Sequence, residues 1–379
     1  MDLINDFNAC IIKKVKVYNK ISFLFNLWLY FLINARNFIV DKMLKWFWSE
    51  KFWLPQNTTW SDVTNEVGKK VVYAELQDLW SVLPFTAGIL ICRYTLEKYC
   101  FFSLGRLLNI SDAKRKPAVY NAVLEAAYKK SSTLKDPVSL AKQLDMTERQ
   151  VERWWRLRRS QDKPSTLVKF SESMWRLVYY FCSFSFGLYV LWDKAWLWNL
   201  EETFTGYPHQ GISNDIWWYY MSCTSFYTSL TITQFWDVRR KDFWQMFVHH
   251  IATIALLSFS WVCNLHRIGT LILLLHDSSD LVLEVTKAVE YAGLRGIRSC
   301  YFVFAVLWIV TRLVMFPFFI LPFTLTRMNI SPMTSTLSLL LCVLQMLHLF
   351  WTWLISKVAC NTVIYGKDPE YIKSDSEGD

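Results

Sequence analysis

The chain has nine cysteines, an odd number, and no C-x-x-C pair. That lack argues against a disulfide framework and against a zinc site built on paired thiols, leaving most cysteines as buried thiols beside apolar blocks. Histidine is scarce, with six in 379 residues and neither an H-x-x-x-H nor an H-x-x-H-H spacing. A di-iron membrane oxidase needs about eight histidines in such spacings, so no resident metal is expected. The H-x-x-x-x-D acyltransferase pattern is missing too, because His276 and Asp280 stand one residue too close. No small-residue cleavage site follows the apolar run Ile21–Ile33, although Lys13, Lys14, Lys16 and Lys20 precede it as the basic flank of a signal peptide would. Residues 1–42 are therefore read as a signal-like extension or extra anchor, uncleaved, or else as a non-native upstream start.

Long apolar runs, by contrast, are abundant. The composition is 53% hydrophobic and 17% aromatic, with 20 tryptophans, well beyond a soluble domain. A membrane helix needs about 20 mostly apolar residues. Seven segments qualify: 79–101, 177–198, 216–236, 243–263, 268–288, 300–325 and 337–358. The expected fold is thus an all-α integral membrane protein with seven transmembrane helices, six of them forming one bundle, plus a small cytosolic helical insert. The expected units are a lumenal segment with the first span at 43–102, the insert at 112–170, the membrane domain at 171–358 and an acidic cytosolic tail at 359–379. Net charge is +9, and alternation from a cytosolic insert puts "DVRRKD" and "LRGIR" on the cytosolic side, as the positive-inside rule requires. Asn57, in the sequon "NTT", then lies in the lumen and is a glycosylation candidate. Ser374 and Ser376, each with an acidic residue three positions on, are phosphorylation candidates in a polar tail.

Within the insert, Thr147 is a helix N-cap and Glu148–Arg159 a basic amphipathic helix that ends before Pro164. "TERQVERWWRLRR" resembles the third helix of a homeodomain, with its pattern T-x-x-Q-V-x-x-W-F-x-N-R-R. The adenine-reading asparagine of that family is Leu157 here, which cannot make the bidentate contact. Specific DNA binding is therefore not expected, and packing on the membrane domain or contact with acidic lipid is the preferred role.

The chemistry is concentrated between Phe247 and Val285. An ionised group near the bilayer centre costs roughly 2.5 to 3.5 kcal/mol, so His249, His250, His276, Asp277 and Asp280 mark a candidate reaction site. His276 and Asp280 share a helix face, and Asp277 and Asp280 are neighbours on it. At about 1.5 Å rise per residue, His249 and Asp280 come to similar depths on adjacent antiparallel helices, which predicts a hydrogen-bonded dyad. An imidazole oriented by a carboxylate is what acyl transfer uses as base or nucleophile; the alternative is a polar cluster that only satisfies itself.

The stretch "HHIATIALLSFSWVCNLHRIGTLILLLHDSSDLVLEVTKAVEY" resembles the ceramide synthases of the TLC-domain superfamily: paired histidines, N-x-x-R-x-G-T (Asn264, Arg267, Gly269, Thr270), H-D-x-x-D, then L-E-x-x-K-x-x-x-Y. The resemblance runs from Met43 to the C-terminus, and the insert matches the animal branch. It implies an endoplasmic-reticulum acyltransferase that joins a long-chain sphingoid base, sphinganine or sphingosine, to a fatty acyl group from acyl-CoA, the CoA being a co-substrate and no cofactor being needed. Arg239, Arg240 and Lys241 are candidates for the CoA phosphates, and homo- or hetero-dimers with related synthases are expected partners beside membrane lipid. Two other readings stay open: a non-enzymatic TLC-domain protein that binds lipid or serves translocation, and a membrane-tethered homeodomain regulator.

Overall fold

The computed structural model describes residues 42–65, 71–110, 112, 118–131, 133–134, 136–162, 164–328 and 331–365. The first 41 residues, Ser374 and Ser376 lie outside them. Among the described residues the regular structure is helical. Seven long helices coincide with the seven apolar segments: α1 (Leu76–Leu107), and, after the insert helices α2 (Ala122–Lys130), α3 (Pro137–Leu144) and α4 (Glu148–Gln161), α5 (Thr166–Leu191), α6 (Asn214–Thr233), α7 (Phe243–Val262), α8 (His266–Tyr291), α9 (Ile297–Arg327) and α10 (Pro332–Tyr365).

Four of them, α1, α7, α9 and α10, are long and apolar enough to cross a membrane by length and composition. The other three are long enough, about 30 to 39 Å at helical rise, yet richer in polar residues. Their position explains this. Helix α8 packs along α5 and α9 and also touches α6 and α7, so Ser173 on α5, Thr224, Ser225 and Ser229 on α6, and Thr270 and Ser279 on α8 are buried. Outward-facing positions carry Ile91, Phe181, Phe302, Phe318, Phe319, Leu339 and Met346, all exposed. Large apolar side chains outside and hydroxyls inside suit a multi-pass membrane protein, since a water-facing surface would not carry so continuous an apolar coat.

One long helix and one helix–helix turn show backbone geometry that their sequence demands. In α9 the stretch Ile309–Ile320 widens to a π-helix around Pro317, which has no N–H for the ladder and whose ring crowds the preceding turn. That stretch also carries Arg312, only 2% exposed, into the bundle. The α7–α8 turn is made by Asn264 at φ +58°, the left-handed conformation that asparagine tolerates. Its side chain donates to the carbonyls of Pro208 and Gln210. At this end of the bundle Trp53, 1% exposed, packs beneath the turn. Its carbonyl accepts from Cys263 and from Ser331 before α10. Asn57, on the same segment, is exposed at φ +64°. The opposite end gathers the start of α5 and the α6–α7 loop: Glu172 accepts from the backbone of Val238 (3.1 Å), and Arg93 of α1 is paired with Asp237 (2.6 Å).

The insert has its own small core of Leu124, Tyr128, Ala141, Val151, Trp154 and Trp155. Thr147 caps α4 through a reciprocal bond pair with Gln150, as the sequence indicates. Arg158 is tied to Glu125 (2.8 Å) and Asp162 (2.6 Å), and Leu157 is half-buried.

Candidate active site

A cleft opens among α5, α6, α7, α8, α9 and α10 at the insert end of the bundle, with about 1080 Å³ of open space. Its mouth is charged, with Arg176, Asp237, Arg240, Asp242, Glu284 and Lys287 among the lining side chains. A second cavity of about 620 Å³ continues along α7 and α8 toward the other end, lined by residues such as Leu256, Leu257, Ile268, Ile272, Leu341 and Leu344. Two side chains line both spaces, Tyr227 and His249.

His249 is held by ring contacts, edge-on to Trp351 (5.4 Å) and beside Tyr227 (6.2 Å). Trp351 is itself fixed by donating to Asp242 at 2.9 Å. The Nδ1 of His249 is buried with no hydrogen-bond partner among the described residues, which leaves the imidazole free to act on a bound molecule. One position on, about 100° around the helix, His250 is turned to Gln234 (3.0 Å). Because the Gln234 amide nitrogen donates to the carbonyl of Phe243 at 2.6 Å, its oxygen remains to accept from His250 Nδ1–H. His250 is thus fixed and lines the cleft only.

The carboxylates are arranged otherwise than their spacing suggests. The expected dyad between His249 and Asp280 is not formed: Asp280 is ion-paired with Arg312 at 2.8 Å. The same guanidinium donates to Ser279 (3.2 Å), to the carbonyl of His276 (3.0 Å) and to His348 Nε2 (3.0 Å), and it stacks on Trp308 at 4.9 Å. A buried arginine needs this many acceptors to offset its lost hydration, and an arginine is a better carboxylate partner than a neutral imidazole. Asp280 still lines the cleft. Asp277 lines neither space; it accepts from Ser183 at 2.6 Å and links α8 to α5.

His276 lines the apolar cavity, its Nδ1 donating to the carbonyl of Ile272 at 2.7 Å. That bond leaves Nε2 as an acceptor, and it is buried without a partner among the described residues. The ring lies 5.0 Å from His348 and 5.2 Å from Phe316. Of the basic trio before α7, Arg240 lines the mouth, Arg239 stacks on Phe243 (5.0 Å) and Lys241 is exposed.

Sequence reasoning missed Arg312, Gln234, Tyr227, Trp351 and Arg176. For Arg312 a signal was available, since "IVTRLVM" sets one arginine within an apolar run, the same anomaly that singles out the histidines. The aromatic and amide residues carry no such mark. Among the described residues no three His, Cys, Asp or Glu side chains are grouped to hold a metal ion.

Comparison with known proteins identifies the family. Residues 169–357 match the TLC domain. The chain is 40% identical to human ceramide synthase 5 over 340 residues, covering 88% of this chain and 86% of that protein. It is 39% identical to human ceramide synthase 3, with 88% of each covered. To ceramide synthase hyl-1 of Caenorhabditis elegans it is 33% identical, with 88% and 84% covered. With such identity sustained across nearly nine-tenths of its length, and a TLC domain around the histidine-lined cleft, the chain belongs to the ceramide synthases, a family of multi-pass membrane acyltransferases.

Proposed function

We propose that this chain transfers a fatty acyl group from acyl-CoA to the amine of a long-chain sphingoid base, giving ceramide or dihydroceramide, in the endoplasmic-reticulum membrane with the insert on the cytosolic side. The observation that carries the reading is the place of His249, which lines both a charged cleft and an apolar cavity. An acyl thioester is built the same way, with a polyanionic carrier at one end, an alkyl chain at the other and the reactive carbonyl between them. Arg240 at the mouth suits the phosphates of CoA, beside Arg176 and Lys287, which are held by Glu172 and Glu284, and the cavity suits the chain.

The chemistry assigned to His249 is nucleophilic. Its imidazole nitrogen attacks the thioester carbonyl, the C–S bond breaks, and CoA leaves as a thiolate that takes up the N–H proton released by the acylated ring. The sphingoid amine then attacks the acyl-imidazole, the C–N bond to histidine breaks, and the amine proton passes to the departing ring. Since Asp280 is engaged by Arg312, activation rests on the dry, unpartnered environment of His249 and not on a carboxylate beside it. No cofactor is required by these steps. Protein incubated with acyl-CoA and no amine is expected to release CoA in a burst and to gain one acyl mass on the peptide containing His249. Rapid turnover with sphinganine but no burst and no adduct would make His249 a general base in a direct transfer.

A further inference from the structure

Tyr220 lines the apolar cavity beyond His249, and we infer that it forms the floor of that cavity and limits the length of acyl chain that the enzyme accepts. The inference rests on the reading that this cavity takes the acyl chain. Its walls run from His249 to Ser260 on α7 and from His276 back to Leu265 on α8. Each wall covers twelve residues, eleven helical steps or about 16 Å, which is roughly half of a ~30 Å hydrocarbon core and so close to one leaflet's depth of alkyl chain.

At that end Tyr220 of α6 lies across the space. It is fully buried, its hydroxyl is bonded to Ser260 Oγ at 2.5 Å, and its ring rests on Trp261 with centroids 5.1 Å apart. The third side of the floor is Gly269 of α8, where a Cβ would collide with the Tyr220 phenol. Glycine is needed there for a close approach and not for a turn, which gives Gly269, part of the N-x-x-R-x-G-T stretch, a physical purpose. A ring bonded on one side, stacked below and pressed on a glycine cannot swing away as a flexible side chain could. An incoming chain that is too long meets a fixed stop, and one surplus methylene that does not fit an apolar pocket lowers kcat/KM by about 10-fold or more.

The test is a panel of saturated acyl-CoAs of rising length, assayed with one sphingoid base in lipid nanodiscs. If the wild type acylates the base with none of them, the functional reading fails and the floor has no meaning. Given turnover, Tyr220→Leu is expected to accept the first chain that the wild type rejects, with selectivity against it reduced about tenfold. Tyr220→Phe keeps the ring and is expected to move the cut-off far less. Gly269→Ala presses a methyl against the ring and is expected to lose the longest accepted chain, which tests the same stop should Tyr220→Leu not fold. A folded, active Tyr220→Leu or Gly269→Ala with the wild-type cut-off, or a Tyr220→Phe shift equal to that of Tyr220→Leu, overturns the inference.

Discussion

His249 and His250 are adjacent, chemically identical and placed in different circumstances by one helical step. His250 is anchored by Gln234, whereas His249 has only aromatic edges around it and a buried Nδ1 without a partner. His249→Ala is expected to lower turnover by at least about 100-fold, the lower bound for removing a positioned acid–base or nucleophilic group. The thermal midpoint should stay near that of the wild type, because no hydrogen bond from the ring is lost. Steady-state acylation of sphinganine together with a thermal-unfolding curve checks both halves. Arg312 presents the opposite case. Arg312→Met removes the ion pair of Asp280, whose side chain is 18% exposed to the cleft, and is expected to lower stability, whereas Arg312→Met with Asp280→Leu should recover much of that loss. Unfolding midpoints of the single and double variants in one detergent decide this. A double variant no more stable than the single one would show that Arg312 acts through Ser279 and His348 instead.

Among the elements, α4 shows how a sequence pattern can predict a helix without predicting the partners of its side chains. The helix forms where Thr147 and Gln150 cap it, and Trp154 and Trp155 fill the insert's core. Arg158, which occupies the position of a homeodomain's first arginine, is turned inward to Glu125 and Asp162. Its hydrogen bond holds the Glu125 carboxyl below its ordinary range. Burial pulls Asp162 upward, but hydrogen bonds from Arg158 and Tyr128 outweigh this and hold it low as well. Burial, reinforced by the bond to Asp162, pushes the Tyr128 phenol up to about 12. The signs follow from linkage. The two carboxylates stabilise the insert above their unfolded values of about 4, and that contribution disappears as pH falls through the lower folded values. Tyr128 contributes until pH rises through about 12. Hydrogen exchange over α2 and α4 is expected to stay slow from neutral pH to about 5 and to accelerate below about 4. Arg158→Met should flatten that acid limb; an unchanged limb would place the acid sensitivity elsewhere.

For the whole molecule, the arrangement of helix ends separates two faces. One gathers Trp53, Asn264 and the start of α10, and the other the cleft mouth with Arg176, Arg240 and Lys287. If the mouth meets cytosolic acyl-CoA, Asn57 faces the lumen on an exposed left-handed residue. Endoglycosidase treatment of protein from a eukaryotic host is therefore expected to shift its mobility, and Asn57→Gln should abolish the shift. A mouth-facing protease site cleaved only from the lumenal side would invert the assignment. The two-part cavity follows from the same asymmetry, because the charged side chains collect at one end, where they pair with one another, and leucines line the other part.

By itself the sequence determined the helices. Length and apolar content mark each long segment, Thr147 marks the start of α4, and the density of ionisable groups between Phe247 and Val285 marks the site, because such residues are costly in an apolar run wherever they are found. It also determined that Asp280 and His249 would lie in one neighbourhood. Tertiary structure alone decided their partners. Arg312, Gln234, Tyr227 and Trp351 come from several helices, and which of them reaches an imidazole or a carboxylate depends on how those helices cross and on how the π-helical stretch around Pro317 turns Arg312 into the bundle. The same holds for Tyr220 and Gly269: a tyrosine and a glycine 49 positions apart read as ordinary helix residues until packing brings the ring against the one backbone that has no side chain to keep it out.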